Sequence, residues 1–333
     1  MRDASTLKNI SVEDRLRGAI WGQFVGDAAA LGTHWIYDLA ELQQLYPRGL
    51  HGFEVPLPDH YHFGKNSGDQ THYGDGALVF LESLAQEGRF DIKAFGRRFV
   101  EVFQGDAYSG YLDKATRGTL ENYQVFTQSH PSESFDFQQG ADDDQLAAAS
   151  RLAALTVRYW NDPTLLQVVE QATRVCQNKN STVGYMKFNA LLLSELFNRR
   201  DVHTAIRRAE EQTELVEPQF GQEIRRQTRL ALEETLNDVI EATLTFGQAC
   251  PLPNSFPSAI HALLKFSDDF ESAILAVLSA GGDSAGRASM VGAWLGAHLG
   301  IAAIPKAWRI KLTQGARIST AIEKILADRV KAR

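Results

Sequence analysis

Between Ser11 and Gly32 the chain repeats apolar residues at Leu16, Ile20, Phe24 and Ala28, close to the 3.6-residue period of a helix. Gly18, Gly22 and Gly26 fall on a neighbouring stripe of the same helix. A glycine inside a helix costs up to about 1 kcal/mol relative to alanine. Three of them at four-residue spacing therefore predict a compensating close backbone contact along that stripe and a central place for this helix. Ser11, three residues before Asp14, is an acceptable N-cap for it.

The helical period recurs over 75–88, 91–104, 142–160, 162–177, 181–198, 201–214, 221–247, 256–266, 269–280, 287–305 and 318–332. Several of these segments open on Asp or Ser and close near Gly, Asn or Pro, as cap preferences require. No two neighbouring segments alternate as a sheet would. The expectation is an all-α fold, and with no Pro- or Ser-rich linker it is one domain over residues 1–333, flexible in residues 1–11.

A hydrophobic content of 44 % and a charged content of 23 % supply a substantial core and give no sign of disorder. The net charge of -7 argues against a nucleic acid or an anionic membrane bound by overall charge, and leaves small molecules or proteins as partners. No run reaches the roughly 18 apolar residues that a spanning helix needs. The charged start lacks the apolar core of a secretory signal, and Cys176 and Cys250 have no metal-type spacing. These features together read as a cytoplasmic protein.

Four polar clusters interrupt the helices, at 26–38, 63–78, 138–152 and 279–289. Each sets carboxylates at or just before the head of an apolar helix. Capping and dipole complementarity account for any one of them; four together point to a site. The chain has no dinucleotide fingerprint, no phosphate-binding P-loop, no strand-to-helix nucleophile elbow and no His-Glu-x-x-His zinc motif.

The order of motifs is a Gly26-Asp27-Ala28 near the start, an acidic loop near residue 70 running into an apolar helix, and a late Gly281-Gly282-Asp283 before a helix of small residues. It resembles the ADP-ribosylglycohydrolase family over about residues 14–305, in a divergent branch that includes the J-type lens crystallins. The resemblance implies an orthogonal all-α domain with a two-magnesium centre, which removes ADP-ribose from a modified side chain or a related glycosidic compound.

The family's loop near residue 70 usually reads Thr-Asp-Asp-Thr. This chain offers Thr71-His72-Tyr73-Gly74 or, with a gap, Tyr73-Gly74-Asp75-Gly76. The late element usually reads Gly-Gly-Asp-x-Asp-Thr; here Asp283 matches its first acid, and Ala285 and Gly286 stand where the second acid and the threonine belong. His34 takes the place of the usual N-terminal glutamate.

If the four loops converge, Asp69, Asp75, Asp142, Asp143 and Asp283 need a hard cation or Arg287 to offset them. One or two magnesium ions on Asp75 and Asp283 would serve. Asp75 or Asp142 is then the base that activates water, and His34 and His72 are acids, ligands or ordinary hydrogen-bonded histidines. Trp35 and Tyr73 are candidates to stack on a ring of the substrate or to pack in the core. Asp69, Gln70, Asp143, Gly282, Ser284 and Arg287 would line the substrate, with Arg287 holding a phosphate or pairing with Asp283. A small-molecule or ADP-ribosylated substrate is the expected partner. The alternative is a non-catalytic, crystallin-like protein on the same scaffold, in which the acids scatter or pair with Arg and Lys.

Overall fold

A computed structural model describes residues 9–233 and 238–331, and among these the chain forms sixteen α-helices, two short 3-10 turns and no β-sheet. A lone parallel bridge joins Ala141 and Gln177. None of the described helices is long and apolar enough to cross a membrane. Most of the expected flexible start, residues 1–8, lies outside the described residues; Ser11 caps the first helix by accepting from the Asp14 N–H.

Two helices organise the rest. Helix α1 (Val12–Ala29) runs against the late helix Ser284–Leu299, the most extensive helix pairing among the described residues. The glycine stripe explains why. A Cβ built on Gly18 would lie 2.2 Å from the Gly296 carbonyl oxygen, on Gly22 2.0 Å from that of Gly292, and on Gly26 2.1 Å from that of Ala288. The relation is reciprocal, because Cβ atoms on Gly292 and Gly296 would strike the carbonyl oxygens of Gly22 and Gly18. The helices touch backbone to backbone at three successive turns, so the cost of the glycines is offset by contact that no larger residue permits.

Around this pair lie α2 (Leu39–Leu45), α3 (His72–Glu87), α4 (Ile92–Gln104), α5 (Lys114–Ser129) and α6 (Leu152–Tyr159). Next in order are α7 (Leu165–Arg174), α8 (Asn180–Phe197), α9 (Val202–Val216), α10 (Pro218–Glu233) and α11 (Val239–Phe246). The chain closes with α12 (Leu252–Lys265), α13 (Phe270–Ser279), α14 (Ser284–Leu299), α15 (Lys306–Lys311) and α16 (Gly315–Lys331). Their apolar faces merge into one buried cluster that includes Phe24, Phe80, Phe95, Leu192, Phe256 and Trp294.

Three expectations about helices are corrected. Residues 142–148 are not helical, because their backbone and side chains bond sideways: Asp144 O accepts from Leu252 N–H, and Gln177 Oε1 takes the Ala148 N–H. The stretch 221–247 is split, with Asp238 capping a separate α11; residues 234–237 lie outside the described residues. Helices α2, α5 and α15 were not expected, and α5 is the one that matters for the site.

Candidate active site and histidine cluster

The turn after α1 and the loop before α14 hold each other. Trp35 N–H donates to Gly282 O at 2.8 Å and Gly282 N–H to Ile36 O at 2.7 Å. Gly281 and Gly282 both have positive φ, and a Cβ on Gly282 would meet Gln248 O at 2.4 Å, so glycine is required there. Trp35 itself sits at φ 65, a strained conformation for a bulky residue. Arg287, buried in α14, fastens this loop by donating to the carbonyls of Gln248, at 3.0 Å, and Gly281.

At the head of α14, Asp283 is fully buried. It accepts from the Gly286 N–H at 3.1 Å and from the Tyr73 hydroxyl at 2.8 Å, and His34 Nδ1 lies 3.8 Å away. Burial raises its pKa, against the pull of Cys250 and Arg287. On the opposite side Thr71 caps α3, which aims His72 and Tyr73 at His34 and Asp283. Thr71 N–H and Oγ1 and Gly74 N–H all donate to Asp27, as does Gln70 Nε2 with its amide oriented to do so. Burial pushes the Asp27 carboxyl up to about 7 while the Thr71 donors pull it down.

The other candidate acids go elsewhere. Asp75 forms an ion pair with Lys65 at 2.6 Å and accepts from Tyr108 at 3.1 Å. Asp69 accepts from Asn66 N–H and Thr313 Oγ1 near the surface. Asp142 is exposed. Asp143 is buried against Gln145 N–H and Gln177 Nε2, and Asp144 pairs with Lys179. Ser284 is buried, with its hydroxyl 3.3 Å from that of Thr33.

Sequence reasoning missed three residues beside His34 and His72. His62, from the long loop after α2, stacks with both: ring centroids are 5.7 Å apart with His34 and 5.4 Å apart with His72. Asp113 caps α5 and places Oδ2 3.7 Å from His72 Nε2. Cys250 faces the same space, its thiol pKa raised by burial. A helical pattern after Asp113, with Ala115, Leu120, Tyr123 and Phe126 packed inward, was the available signal for α5.

An open cleft of about 330 Å³ lies in front of this cluster. Its walls are aromatic: Trp35 meets Tyr61 and Tyr111 edge-on at centroid distances of 5.0 and 4.9 Å. Asp113, though only 3 % exposed, lines it together with Lys114, Arg117, Gln145, Tyr37 and Cys250. Asp113 is the one carboxylate among these lining residues.

An all-helical scaffold whose first and late helices meet backbone to backbone, and whose helix heads close on an aromatic cleft with a buried carboxylate, is of the glycohydrolase type. The chain belongs to the ADP-ribosylglycohydrolase family, whose sequence model matches residues 8–333. Similar proteins include crystallin J1B of Tripedalia cystophora, 26 % identical over 92 % of this chain and 94 % of the relative. Crystallin J1A of the same organism is 25 % identical over 94 % of this chain and 96 % of its own length. A solved ADP-ribosylglycohydrolase-related protein complex shares the fold, with a TM-score of 0.71 over 96 % of this chain and 99 % of that one at 22 % identity. Membership is consistent with a glycosidic hydrolase.

Magnesium, which the family resemblance implies, does not fit the donors gathered here. Among the described residues, the one group of three or more His, Cys, Asp or Glu with ligand atoms all within 4.8 Å of one another is His34, His62 and His72. These are nitrogen donors, whereas magnesium demands oxygens in an octahedron. The two expected oxygen ligands are separately engaged, Asp283 with Tyr73 and Gly286, and Asp75 with Lys65 and Tyr108.

Proposed function

We propose that the chain hydrolyses a ribosyl glycosidic bond, of the ADP-ribosyl class, in the cleft between Trp35, Tyr111 and Asp113. The observation that carries this reading is the buried Asp113 carboxylate at the floor of an aromatic cleft, with Lys114 and Arg117 beside it. The aromatic rings suit a base or ribose face, and the two cations suit a pyrophosphate. Arg117, held over the Tyr111 ring at 5.7 Å, donates to Leu112 O and is thereby positioned at the cleft.

In this reading Asp113 Oδ2 takes a proton from a water that attacks the anomeric carbon. The new C–O bond forms as the glycosidic bond breaks, and the leaving group receives a proton from solvent. The carboxylate also steadies the positive charge that develops on the ribosyl ring. His72 orients Asp113, Trp35 holds the substrate, and Asp75 and Asp142 have no part in the chemistry. Tyr73, Gln70 and Arg287 act behind the cleft, holding Asp283, Asp27 and the Gly281 loop.

The test is release of ADP-ribose from ADP-ribosylated arginine and serine peptides, followed by chromatography, beside calorimetric binding of ADP-ribose. Asp113→Asn is expected to lose at least about a hundredfold in turnover while still binding ADP-ribose, the scale of a lost acid–base group. Turnover unchanged in Asp113→Asn, or no binding by the native chain, overturns the reading.

A second reading has its own support. Asp75 and Asp144 are paired with lysines, and Asp69 and Asp142 lie towards the surface, the scatter expected of a non-catalytic scaffold. ADP-ribose bound by the native chain with no release from any peptide favours this one.

A further inference from the structure

Three imidazoles from separate segments are buried together behind the aromatic wall of the cleft: His34 from the turn after α1, His62 from the loop before α3, and His72 from the first turn of α3. These residues are 0, 2 and 6 % exposed, in that order. His34 Nε2, both ring nitrogens of His62 and both of His72 have no hydrogen-bond partner in the protein. A buried polar atom without a partner is destabilising, because it has given up water and gained nothing in return. A cluster with so many such atoms is therefore costly unless something satisfies them.

We propose that His34, His62 and His72 form a binding site for one divalent transition metal of the zinc class, in place of magnesium. Imidazole nitrogen is a preferred donor for Zn²⁺, Co²⁺, Ni²⁺ and Cu²⁺ and a poor one for Mg²⁺. The ligand nitrogens already lie within 4.8 Å of one another. Zinc–nitrogen bonds of about 2.0–2.1 Å set tetrahedral neighbours roughly 3.4 Å apart, so the rings swivel inward by an ångström or so when the ion enters. That movement replaces the stacking of His62 on His34 and His72, whose interplanar angles are 13° and 24°. Asp113, at 3.7 Å from His72 Nε2, is placed to orient that imidazole from outside the ion's ligand shell.

The site does not depend on hydrolysis, and its test reads binding alone. Chelator-treated full-length protein is titrated with Zn²⁺ and with Mg²⁺ by calorimetry, and with Co²⁺ by its visible absorption. One Zn²⁺ per chain, an intense four-coordinate Co²⁺ spectrum and no heat from Mg²⁺ are expected. His62→Gln should weaken Zn²⁺ binding at least about a hundredfold and Asp113→Asn about tenfold, in line with first-contact and supporting groups at known sites. The exposed His203→Gln should change nothing. X-ray absorption at the zinc edge of the native protein counts bound imidazoles independently of any variant, and three are expected. Mg²⁺ binding without Zn²⁺ binding, fewer than two imidazoles at the ion, or Zn²⁺ affinity unchanged in folded His62→Gln overturns the proposal.

Discussion

Gly22→Ala is the substitution for which helix propensity and packing give opposite signs. By propensity alone, alanine at an interior helical position stabilises by about 0.5–1 kcal/mol. In the structure the new methyl would sit 2.0 Å from Gly292 O and 2.7 Å from Gly292 C, both backbone atoms of a buried helix. Ordinary contact begins near 3.4 Å, so α1 and α14 must part by more than an ångström. The displacement cannot stay local, because Gly18–Gly296 and Gly26–Ala288 lock the same two helices one turn away on either side. Overpacking of this kind costs about 1–3 kcal/mol or more. With rigid backbone on both sides the upper end, about 3 kcal/mol, applies, and subtracting the propensity gain leaves a net loss of about 2–2.5 kcal/mol. At roughly 2–4 °C per kcal/mol for a large domain, the melting temperature should fall by about 4–10 °C. The matched control is Gly76→Ala in α3, where a Cβ meets only the Arg151 guanidinium, at 3.5 Å; it should be neutral or raise stability by up to about 1 kcal/mol. Thermal and urea unfolding of both variants, followed by circular dichroism, decides the matter. Gly22→Ala melting at or above the native chain, or Gly76→Ala falling as far as Gly22→Ala, would refute the backbone-contact argument.

Two further predictions concern buried carboxyls. Lys65→Met removes the cation facing Asp75; both partners are about a fifth exposed, so the loss at pH 7 should be about 1–3 kcal/mol rather than the full value of a buried pair. Burial already raises the Asp75 pKa, and without Lys65 the folded variant takes up a proton more readily, so the deficit in urea unfolding should shrink as pH falls from neutral into the acid range; a deficit independent of pH would count against it. Asp27 is held at about 7 in the folded chain against an ordinary value of 3.8. Between those values the folded state keeps a proton that the unfolded state has lost, so this group's stabilisation is full below about 4 and fades as pH rises to about 7. Asp27→Asn should flatten the stability profile in that window by up to about 1.4 kcal/mol per pH unit, and parallel profiles for the two proteins would contradict the assignment.

The features legible in the sequence are those whose physics is local. The three glycines of α1 announced a backbone contact because nothing else compensates for them, and their partners are the small residues of α14. The Gly281-Gly282 turn was readable for the same reason, since few residues tolerate its positive φ. Residues 142–148 misled because their composition suits a helix, whereas their hydrogen bonds go to Gln177, Thr182 and Leu252, far away in the chain. Tertiary bonding overrode propensity there.

The acids were harder to read for a different reason. A carboxylate at a helix head looks the same in sequence whether it caps, pairs or catalyses, because the first two roles are met by neighbours that the sequence does not place. Asp283 caps α14 and is also buried against Tyr73 and His34, so its cap position and its place at the site coincide. Asp75 lies one turn inside α3, where Lys65 reaches it from a loop. Asp113 went unnoticed because its helix did, yet among the described residues it is the one carboxylate that both caps a helix and opens onto the cleft. His62 carries no helical or spacing signal at all; only the fold of the 46–71 loop brings it against His34 and His72.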